Sequence, residues 1–305
     1  MIRIVYFGTP HIALKSLENF YNNKEFEVLA VVTQPDKPAG RGKKLTMSPI
    51  KEFAIANNIK VFQPKSIRKE PEMLAEIKAL SPDFFVTFAF GQILSQEVLD
   101  IPKYHTINLH ASLLPKYRGA NPIQRAIING DKETGICTMI TELGLDCGDI
   151  CEKLVIPLSD STNCEELFNE ISEKSPELLV STLKGLVSGE ITPQKQGENG
   201  VCMANKLTKD ETLINWQDSA QDIHNLVRGI FKSPSAYFIH NDKIIKVLET
   251  KVNTNITGKI GTIIEANKIG VTFGCGENSL TLIKVKPEGK GEMMARDWYN
   301  GVKNK

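Results

Sequence analysis

Three polar side chains have the types needed for chemistry on a carbonyl group: Asn108, His110 and Asp146. Asn108 and His110 stand two residues apart in the run INLHASLLPKYRG, and Asp146 lies in GLDCGD. An amide can donate a hydrogen bond to a carbonyl oxygen that gains charge, and an imidazole can move protons near neutral pH. A carboxylate beside the imidazole would orient it and favour its charged form. Together these groups suit acyl transfer, in which an amine attacks a carbonyl carbon.

The segments around these residues predict a parallel sheet that would place them at one edge. Apolar runs such as IRIVYFG, FEVLAVVTQ, DFFVTFAFG and HTINLHA alternate with segments of helical periodicity at 11–23, 50–58 and 71–80. This alternation predicts βαβ units, and unbroken apolar runs are typical of strands covered on both faces. Ligands bind such sheets outside the carboxyl ends of the strands, where Gly8, Gly91, Asn108 and His110 fall.

The later part of the chain has a different pattern. Residues 135–158 hold two strand-like runs around a Gly-rich acidic loop, which predicts a long hairpin, and residues 162–186 have helical periodicity. Residues 191–208 lack periodicity and are rich in Gly, Pro, Asn and Gln, as linkers are. A helix follows, and Ser219 and Asp222 are candidates to cap its start. Several short β runs come after it, a pattern typical of a small β-barrel. We therefore expect one domain over 1–190, a linker over 191–206 and a second domain over 207–305.

Composition narrows the class of protein. The chain has 305 residues, of which 41% are hydrophobic and 24% charged, and its net charge is +1, as in ordinary globular proteins. From Lys206 onward, 15 Lys and Arg stand against 11 Asp and Glu, an excess that indicates an anionic partner or a plainly solvated surface. The six cysteines form no C-x-x-C pair, so we expect reduced thiols in the cytoplasm. We expect no contact with membranes, because no apolar run nears the ~20 residues that span a bilayer.

Three other chemistries fit the sequence less well. No G-x-G-x-x-G and no G-x-x-x-x-G-K-[ST] is present, so the usual phosphate-binding loops of nicotinamide and ATP enzymes are missing. No spacing of His and Cys matches a zinc site, and the acidic loop does not match a calcium hand. Nucleophilic catalysis stays open, since Cys137, Cys147 or Cys151 could approach His110, although cysteines in such domains are more often small core residues.

A long basic segment, QPDKPAGRGKKLTMSPIK at 34–51, follows a predicted strand and precedes a helix. It holds five Lys or Arg, two Gly and three Pro. Connections of this kind usually run ~2–6 residues, and longer ones often have a function. Two interpretations remain: a flexible solvated insertion, or a loop that contacts phosphates.

These motifs together resemble the 10-formyltetrahydrofolate-dependent formyltransferases. The resemblance rests on INLHASLLPKYRGANPIQRAI with GLDCGD, on FGTP, VTQPDKPAGRGKKL and FAFGQIL, and on VKPEGKGEMMARDWYNG near the C-terminus. It covers essentially the full chain, and the basic segment and C-terminal part favour the branch that acts on tRNA. It implies a doubly wound, mostly parallel α/β sheet followed by a small OB-like β-barrel. It also implies transfer of formyl from 10-formyltetrahydrofolate, as co-substrate and without metal, to the amino group of methionyl initiator tRNA.

The resemblance assigns roles to residues by motif position. Asn108, His110 and Asp146 match the catalytic residues of the family. Two segments, together with the 139–145 region, would contact folate: Ser112, Leu113, Leu114 and Pro115, and Phe88, Ala89, Phe90 and Gly91. Contacts to tRNA would come from Arg41, Lys43 and Lys44 in the basic segment, and from Lys206 at the start of the second domain. A monomer is expected because the resemblance suggests one.

Two rival functions stay open at this point. A formyltransferase that acts on a small amine would need neither the basic segment nor the basic C-terminal domain. A catalytically idle tRNA-binding relative would not need Asn108, His110 and Asp146. Direct transfer is the expected mechanism, with Asn108 and His110 as hydrogen-bond donors to the oxyanion. Whether His110 or water held by Asp146 carries the proton is left open by the sequence.

Overall fold

The structure is a computed structural model that describes residues 1–39, 42, 44–232 and 234–303. It contains two compact units, each assembled from separate stretches of chain. The first comprises Met1–Gly119, Gly135–Ile156 and Phe168–Met203, and the second Ala120–Thr134, Pro157–Leu167 and Ala204–Lys305. The predicted domain boundaries at 190 and 207 stay a prediction. In the structure, contacts group the stretches 120–134 and 157–167 with the C-terminal part of the chain.

The strands in chain order are β1 (Ile2–Gly8), β2 (Phe26–Val32), β3 (Lys37–Ala39), β4 (Lys44–Thr46), β5 (Lys60–Phe62), β6 (Phe84–Phe88), β7 (His105–His110), β8 (Arg118–Gly119), β9 (Glu133–Ile140), β10 (Ile150–Pro157), β11 (Met203–Ala204), β12 (Ala236–His240), β13 (Lys243–Asn253), β14 (Ile263–Ala266), β15 (Val271–Gly274), β16 (Ser279–Pro287) and β17 (Met293–Met294). The α-helices are α1 (Leu14–Asn22), α2 (Pro49–Ala56), α3 (Pro71–Ala79), α4 (Gln96–Leu99), α5 (Pro122–Ile128), α6 (Cys164–Ser188), α7 (Ala220–Gly229) and α8 (Ala295–Asn300).

The large sheet has seven strands in the order β10-β9-β7-β6-β1-β2-β5. Strands β5, β2, β1, β6 and β7 run parallel, and β9 is antiparallel to β7. This confirms the prediction of a mostly parallel α/β sheet. Gly8 pairs with Phe88 and Thr87 pairs with Asn108, so the carboxyl ends of β1, β6 and β7 lie side by side.

Burial on both faces explains why β1 is apolar throughout its centre. Ile4, Val5, Tyr6 and Phe7 are all fully buried, and full burial of an Ile, Val or Phe side chain contributes ~1.5–3 kcal/mol. The ring of Phe7 lies 4.8 Å from that of Phe85. The predicted strands therefore form where an unbroken apolar run can be covered from both sides.

Local signals fix where the helices begin. Ser48 caps α2 by accepting a hydrogen bond from Lys51 N at 3.1 Å, with Pro49 in the first turn. Ser219 caps α7 in the same way through Asp222 N at 3.0 Å, which confirms the cap expected there. The helix predicted from residue 11 instead starts with a 3₁₀ turn over His11–Ala13 before α1. The helical pattern predicted at 162–186 corresponds to one helix, α6 (Cys164–Ser188), with Pro176 inside it.

The second unit contains a sheet in the order β12-β13-β16-β15-β14, with β17 paired to β16. The neighbouring strands are antiparallel, as predicted for the C-terminal β domain. Its core includes Trp216 and Phe273, whose rings stack with centroids 4.6 Å apart. Among the described residues, no helix is long and apolar enough to cross a membrane.

The basic segment differs from the predicted loop. Strands β3 and β4 pair antiparallel within it, with Lys37 opposite Thr46 and Pro38 opposite Leu45. The ammonium of Lys51 lies 2.7 Å from the Asp36 carboxylate, to which Gln63 also donates at 2.7 Å. The hydrogen bond from Lys51, and to a lesser extent that from Gln63, holds the pKa of the Asp36 carboxyl below its usual value. The segment is thus a short hairpin that is anchored at its base.

Candidate active site

Asn108 lies near the carboxyl end of β7, and its side chain is oriented by the neighbouring strand. Thr87 on β6 donates its hydroxyl hydrogen to Asn108 Oδ1 at 2.9 Å. Asn108 is partly exposed, and its Nδ2 donates to no protein acceptor within the described part of the chain. The amide nitrogen is thus available as a donor. Sequence reasoning missed Thr87, although it is the one polar residue in the buried run FFVTF of β6.

His110 ends the same strand and is 5% exposed. It shares a face of β7 with Asn108, because residues two apart on a strand point the same way. Its Nε2 lies 2.8 Å from the backbone oxygen of Tyr117. A carbonyl oxygen only accepts, so Nε2 carries a hydrogen in this arrangement. The other ring nitrogen, Nδ1, lies 3.6 Å from Asp146 Oδ2.

Asp146 reaches this site from the loop between β9 and β10. Its Oδ2 accepts a hydrogen bond from Gly119 N at 2.8 Å and faces His110 Nδ1. The distance of 3.6 Å to Nδ1 allows an ion pair but is too long for a standard hydrogen bond. In enzymes generally, hydrogen bonds between catalytic groups are often long without substrate and shorten when it binds. The structure therefore brings His110 and Asp146 together, with Asn108 on the same face of β7.

The loop that carries Asp146 is held in a constrained conformation. Asp146 has a φ of 48°, in the left-handed region that few side chains adopt. A Cβ atom on Gly148 would collide with the backbone oxygen of Ile140, so only glycine lets the loop close against β9. Gln196 donates to the backbone oxygens of Asp146 and Gly148 at 2.9 and 2.8 Å. Nothing in the predicted linker distinguished Gln196 from the polar residues around it.

The segment from Ser112 to Pro115, predicted to contact folate, forms a tight turn after β7. Ser112 is fully buried and donates to Lys116 O at 2.6 Å. Lys153 on β10 donates to Leu114 O at 2.6 Å, and the Leu114–Pro115 peptide bond is cis. Leu113 and Pro115 are partly exposed, while Leu114 is buried. Only some of the four side chains can therefore contact a ligand directly.

The second predicted folate segment, Phe88–Gly91, lies at the ends of β6 and β1. Phe88 and Phe90 are buried, whereas Ala89 and Gly91 are exposed. The last two have φ values of 52° and 82°, so the backbone turns sharply here. Phe90 O accepts hydrogen bonds from Thr9 and Gln34. The segment thus presents backbone and small residues to solvent and keeps its rings inside.

A cavity of about 610 Å³ lies beside the predicted 139–145 region. Residues of two stretches of chain line it: Gln96, Leu99, Asp100, Pro102 and Tyr104–Thr106 from the first, and Ile140–Gly144 from the second. Two buried hydroxyls at this cavity, those of Thr106 and Thr141, have no hydrogen-bond partner among the described residues. Ser112–Pro115 and Phe88–Gly91 do not line this cavity, and the folate contacts of all three segments stay a prediction.

Two of the cysteines considered as nucleophiles are poorly suited to that role. Cys137 pairs with His110 across β7 and β9, and burial raises the pKa of its thiol to about 11. Burial, with Glu152 and Asp149 nearby, raises the pKa of Cys151 to about 12. Both stay neutral at pH 7, and the thiolate is the nucleophilic form. Within the described ranges, no group of three or more His, Cys, Asp or Glu is arranged to hold a metal ion.

Comparison with known proteins covers both regions of the chain. Residues 2–183 match the formyl transferase family, and residues 206–303 match the formyl transferase C-terminal domain. The methionyl-tRNA formyltransferase of Clostridium novyi (strain NT) is 46% identical over 301 residues, which is 98% of this chain and 97% of that protein. The chain belongs to the methionyl-tRNA formyltransferase family.

Solved structures of formyltransferases share this fold. One is the N-formyltransferase from Helicobacter canadensis in complex with folinic acid and dTDP-3-aminofucose, with a TM-score of 0.68 at 20% identity over 92% of this chain and 99% of that one. Another is the methionyl-tRNA formyltransferase from Clostridium thermocellum, with a TM-score of 0.59 at 18% identity over 84% of this chain and 96% of that one. At these identities the likeness concerns the fold alone.

The residues assigned to tRNA by family resemblance fall in two places. Lys44 is exposed on β4 of the basic hairpin, and Lys206 is exposed at the start of the C-terminal family region. Arg41 and Lys43 lie outside the described residues. The exposed positions suit contact with a large anionic partner, and their role stays a prediction.

Proposed function

We propose that this protein transfers the formyl group of 10-formyltetrahydrofolate to the amino group of methionyl initiator tRNA, for translation initiation in the cytoplasm. The observation that carries the proposal is the 46% identity to a methionyl-tRNA formyltransferase over 98% of the chain. The ranges that match the two family models, 2–183 and 206–303, cover the positions of Asn108, His110 and Asp146 and the C-terminal domain. We further propose that the protein acts as a monomer.

Asn108 would stabilise the oxyanion in this reaction. Attack of the methionyl amine on the formyl carbon places negative charge on the formyl oxygen. Thr87 occupies Asn108 Oδ1, which leaves Nδ2 to donate to that oxygen. Preorganised donors of this kind contribute ~2.7–4 kcal/mol to transition-state stabilisation in other acyl transfers.

His110 and Asp146 would handle the proton that leaves the amine. Tyr117 occupies Nε2 of His110, so Nδ1 is the ring nitrogen that can exchange a proton with substrate. Asp146 Oδ2 faces Nδ1 at 3.6 Å, so the carboxylate would orient the ring for this exchange. The proton then passes to N10 of the folate as the C–N bond to the formyl group breaks.

A formylation assay separates this function from its rivals. Purified protein is supplied with 10-formyltetrahydrofolate and with charged initiator tRNA, charged elongator methionyl-tRNA, or amino sugars and free methionine as small amines. We expect formyl transfer to the initiator tRNA, and transfer that is slower by ~10²-fold or more with the Asp146→Asn variant. Preferential transfer to small amines would support a small-molecule formyltransferase. Binding of tRNA without any transfer would support an idle relative.

A further inference from the structure

The segment 194–202, predicted as part of a linker, is bonded firmly to the unit that holds the site. Gln194 and Ile150 exchange two backbone hydrogen bonds, each of 2.8 Å. Arg118 N donates to Cys202 O at 3.0 Å. These bonds fix the segment at both ends, against β10 and against the turn that precedes Gly119. A side chain between them is therefore held in a defined position.

Gln196 uses both ends of its side-chain amide. Its Nε2 donates to the backbone oxygens of Asp146 and Gly148, which are 2.9 and 2.8 Å away. Its Oε1 accepts from Arg118 Nε at 3.0 Å and Nη2 at 2.6 Å. An amide group offers two donor hydrogens, and here both are engaged. A carboxylate in this place would keep the contact to Arg118 but lose both contacts to the loop.

The hydrogen bonds of Gln196 and those of the Asp146 carboxylate connect the same two segments of the chain. Gly119 N holds Asp146 Oδ2 at 2.8 Å, and Gly119 follows Arg118 directly in the chain. Gln196 connects the Arg118 guanidinium to the Asp146 backbone oxygen. Asp146 is thus fixed through its carboxylate and through its carbonyl group. This matters because its φ of 48° lies in a region that costs ~1–2 kcal/mol for a residue other than glycine.

We propose that Gln196 is a positioning residue for formyl transfer: it holds the Asp146 loop so that the carboxylate faces His110. The proposal rests on the function proposed above for Asp146 and His110. Gln196 itself touches neither reacting group. Misplacement of a catalytic group by about 1 Å can cost roughly 10²-fold in rate. Loss of Gln196 should therefore slow the chemical step while substrate binding is largely kept.

Two substitutions test this, with a matched control. Gln196→Glu keeps the size of the side chain and the acceptor for Arg118 but removes both donors to the loop. Gln196→Ala removes all four bonds. Gln194→Glu makes the same chemical change two residues away, at an exposed side chain that has no hydrogen bond among the described residues. The control therefore accounts for the added negative charge in this segment.

Kinetics of the full chain measures the rate of formyl transfer, and NMR reports the position of the Asp146 carboxylate. We expect Gln196→Glu and Gln196→Ala to lower kcat by about 10- to 100-fold, with KM for both substrates within about threefold and Gln194→Glu unchanged. The amide proton of Gly119, which is hydrogen-bonded to the Asp146 carboxylate, should move upfield in both Gln196 variants, as in Asp146→Asn. It should not move in Gln194→Glu.

A kcat within about twofold of wild type in either folded variant, or a loss confined to KM, would overturn the proposal. Failure of both variants to fold would also overturn it, by assigning Gln196 to general stability. The NMR measurement separates the positioning role of Gln196 from the function proposed for the protein. If wild type fails to formylate methionyl-tRNA while the Gly119 proton moves as expected, the proposed function is wrong and the positioning of Asp146 by Gln196 stands.

Discussion

The ring of His110 is fixed by Tyr117, whose backbone oxygen accepts a 2.8 Å hydrogen bond from Nε2. This contact orients the imidazole independently of the carboxylate that faces its other nitrogen. Tyr117 has a φ of 61°, so the turn after the Ser112–Pro115 segment brings this carbonyl group back toward the end of β7. The segment predicted to hold folate therefore also sets the direction of His110.

Substitutions in the triad formed by Asn108, His110 and Asp146 should abolish most of the activity. We expect Asn108→Ala, His110→Ala and Asp146→Asn each to lower kcat/KM for formyl transfer by ~10²-fold or more, with unchanged circular dichroism. Asp242→Asn is a matched control, because Asp242 also has a positive φ, of 58°, but lies in an exposed turn of the second unit. Turnover near that of wild type in all three triad variants would contradict the proposed mechanism.

Removal of the Thr87 hydroxyl should have a smaller effect of the same kind. Thr87→Val keeps the shape of the side chain but leaves Asn108 Oδ1 without its donor at 2.9 Å. A hydrogen bond of this type contributes ~0.5–1.5 kcal/mol, so we expect kcat to fall by roughly 3- to 10-fold. Thr134→Val is the control, because the Thr134 hydroxyl is buried without a partner among the described residues. Equal kcat values for the two variants would rule out orientation of Asn108 by Thr87.

The basic hairpin should serve tRNA more than folate. Combined replacement of Arg41, Lys43 and Lys44 by Ala should raise KM for charged tRNA and flatten its dependence on salt, because each lost phosphate contact reduces the number of released counterions. KM for 10-formyltetrahydrofolate should stay within about twofold. A control that replaces the exposed Lys65, Arg68 and Lys69 removes the same charge elsewhere. A change confined to folate would argue against the assignment.

The stability of the second unit should decrease in mild acid because of His224. Its Nδ1 lies 2.7 Å from Thr250 Oγ1 and its Nε2 lies 3.0 Å from Asp160 O. Burial lowers the pKa of His224 below its ordinary value of 6.5. A depressed pKa in the folded state stabilises the fold at pH values above the unfolded pKa. That contribution is lost as pH falls through the folded value.

Chemical denaturation between pH 5 and 8 can measure this effect. We expect the free energy of unfolding of wild type to fall more steeply below pH 6.5 than that of His224→Gln. The glutamine side chain of this variant does not bind a proton in this pH range. The two slopes should agree above pH 7. His240→Gln is a suitable control, because His240 lies in the same unit. Parallel slopes for wild type and His224→Gln over the whole range would show that His224 is not responsible.

Local sequence signals predicted most strands of the first unit correctly, for a definite physical reason. A strand buried on both faces needs an unbroken apolar run, and β1, β6 and the start of β7 have one. The hairpin in the basic segment was missed, because β3 and β4 have only three residues each and lack periodicity. The start of α1 was placed early, since a 3₁₀ turn and an α-helix share much of the same apolar spacing.

The sequence alone determined which chemical groups this protein has and which of them lie at strand ends. Asn108 and His110 share a face because of the two-residue period of a strand, and the motif around them indicated a formyltransferase. Only the tertiary structure decided how those groups are held. Gln196 contacts a residue 50 positions before it, and Thr87 one 21 positions after it. Hydrogen bonds across such separations depend on packing and leave no periodic signal in the chain.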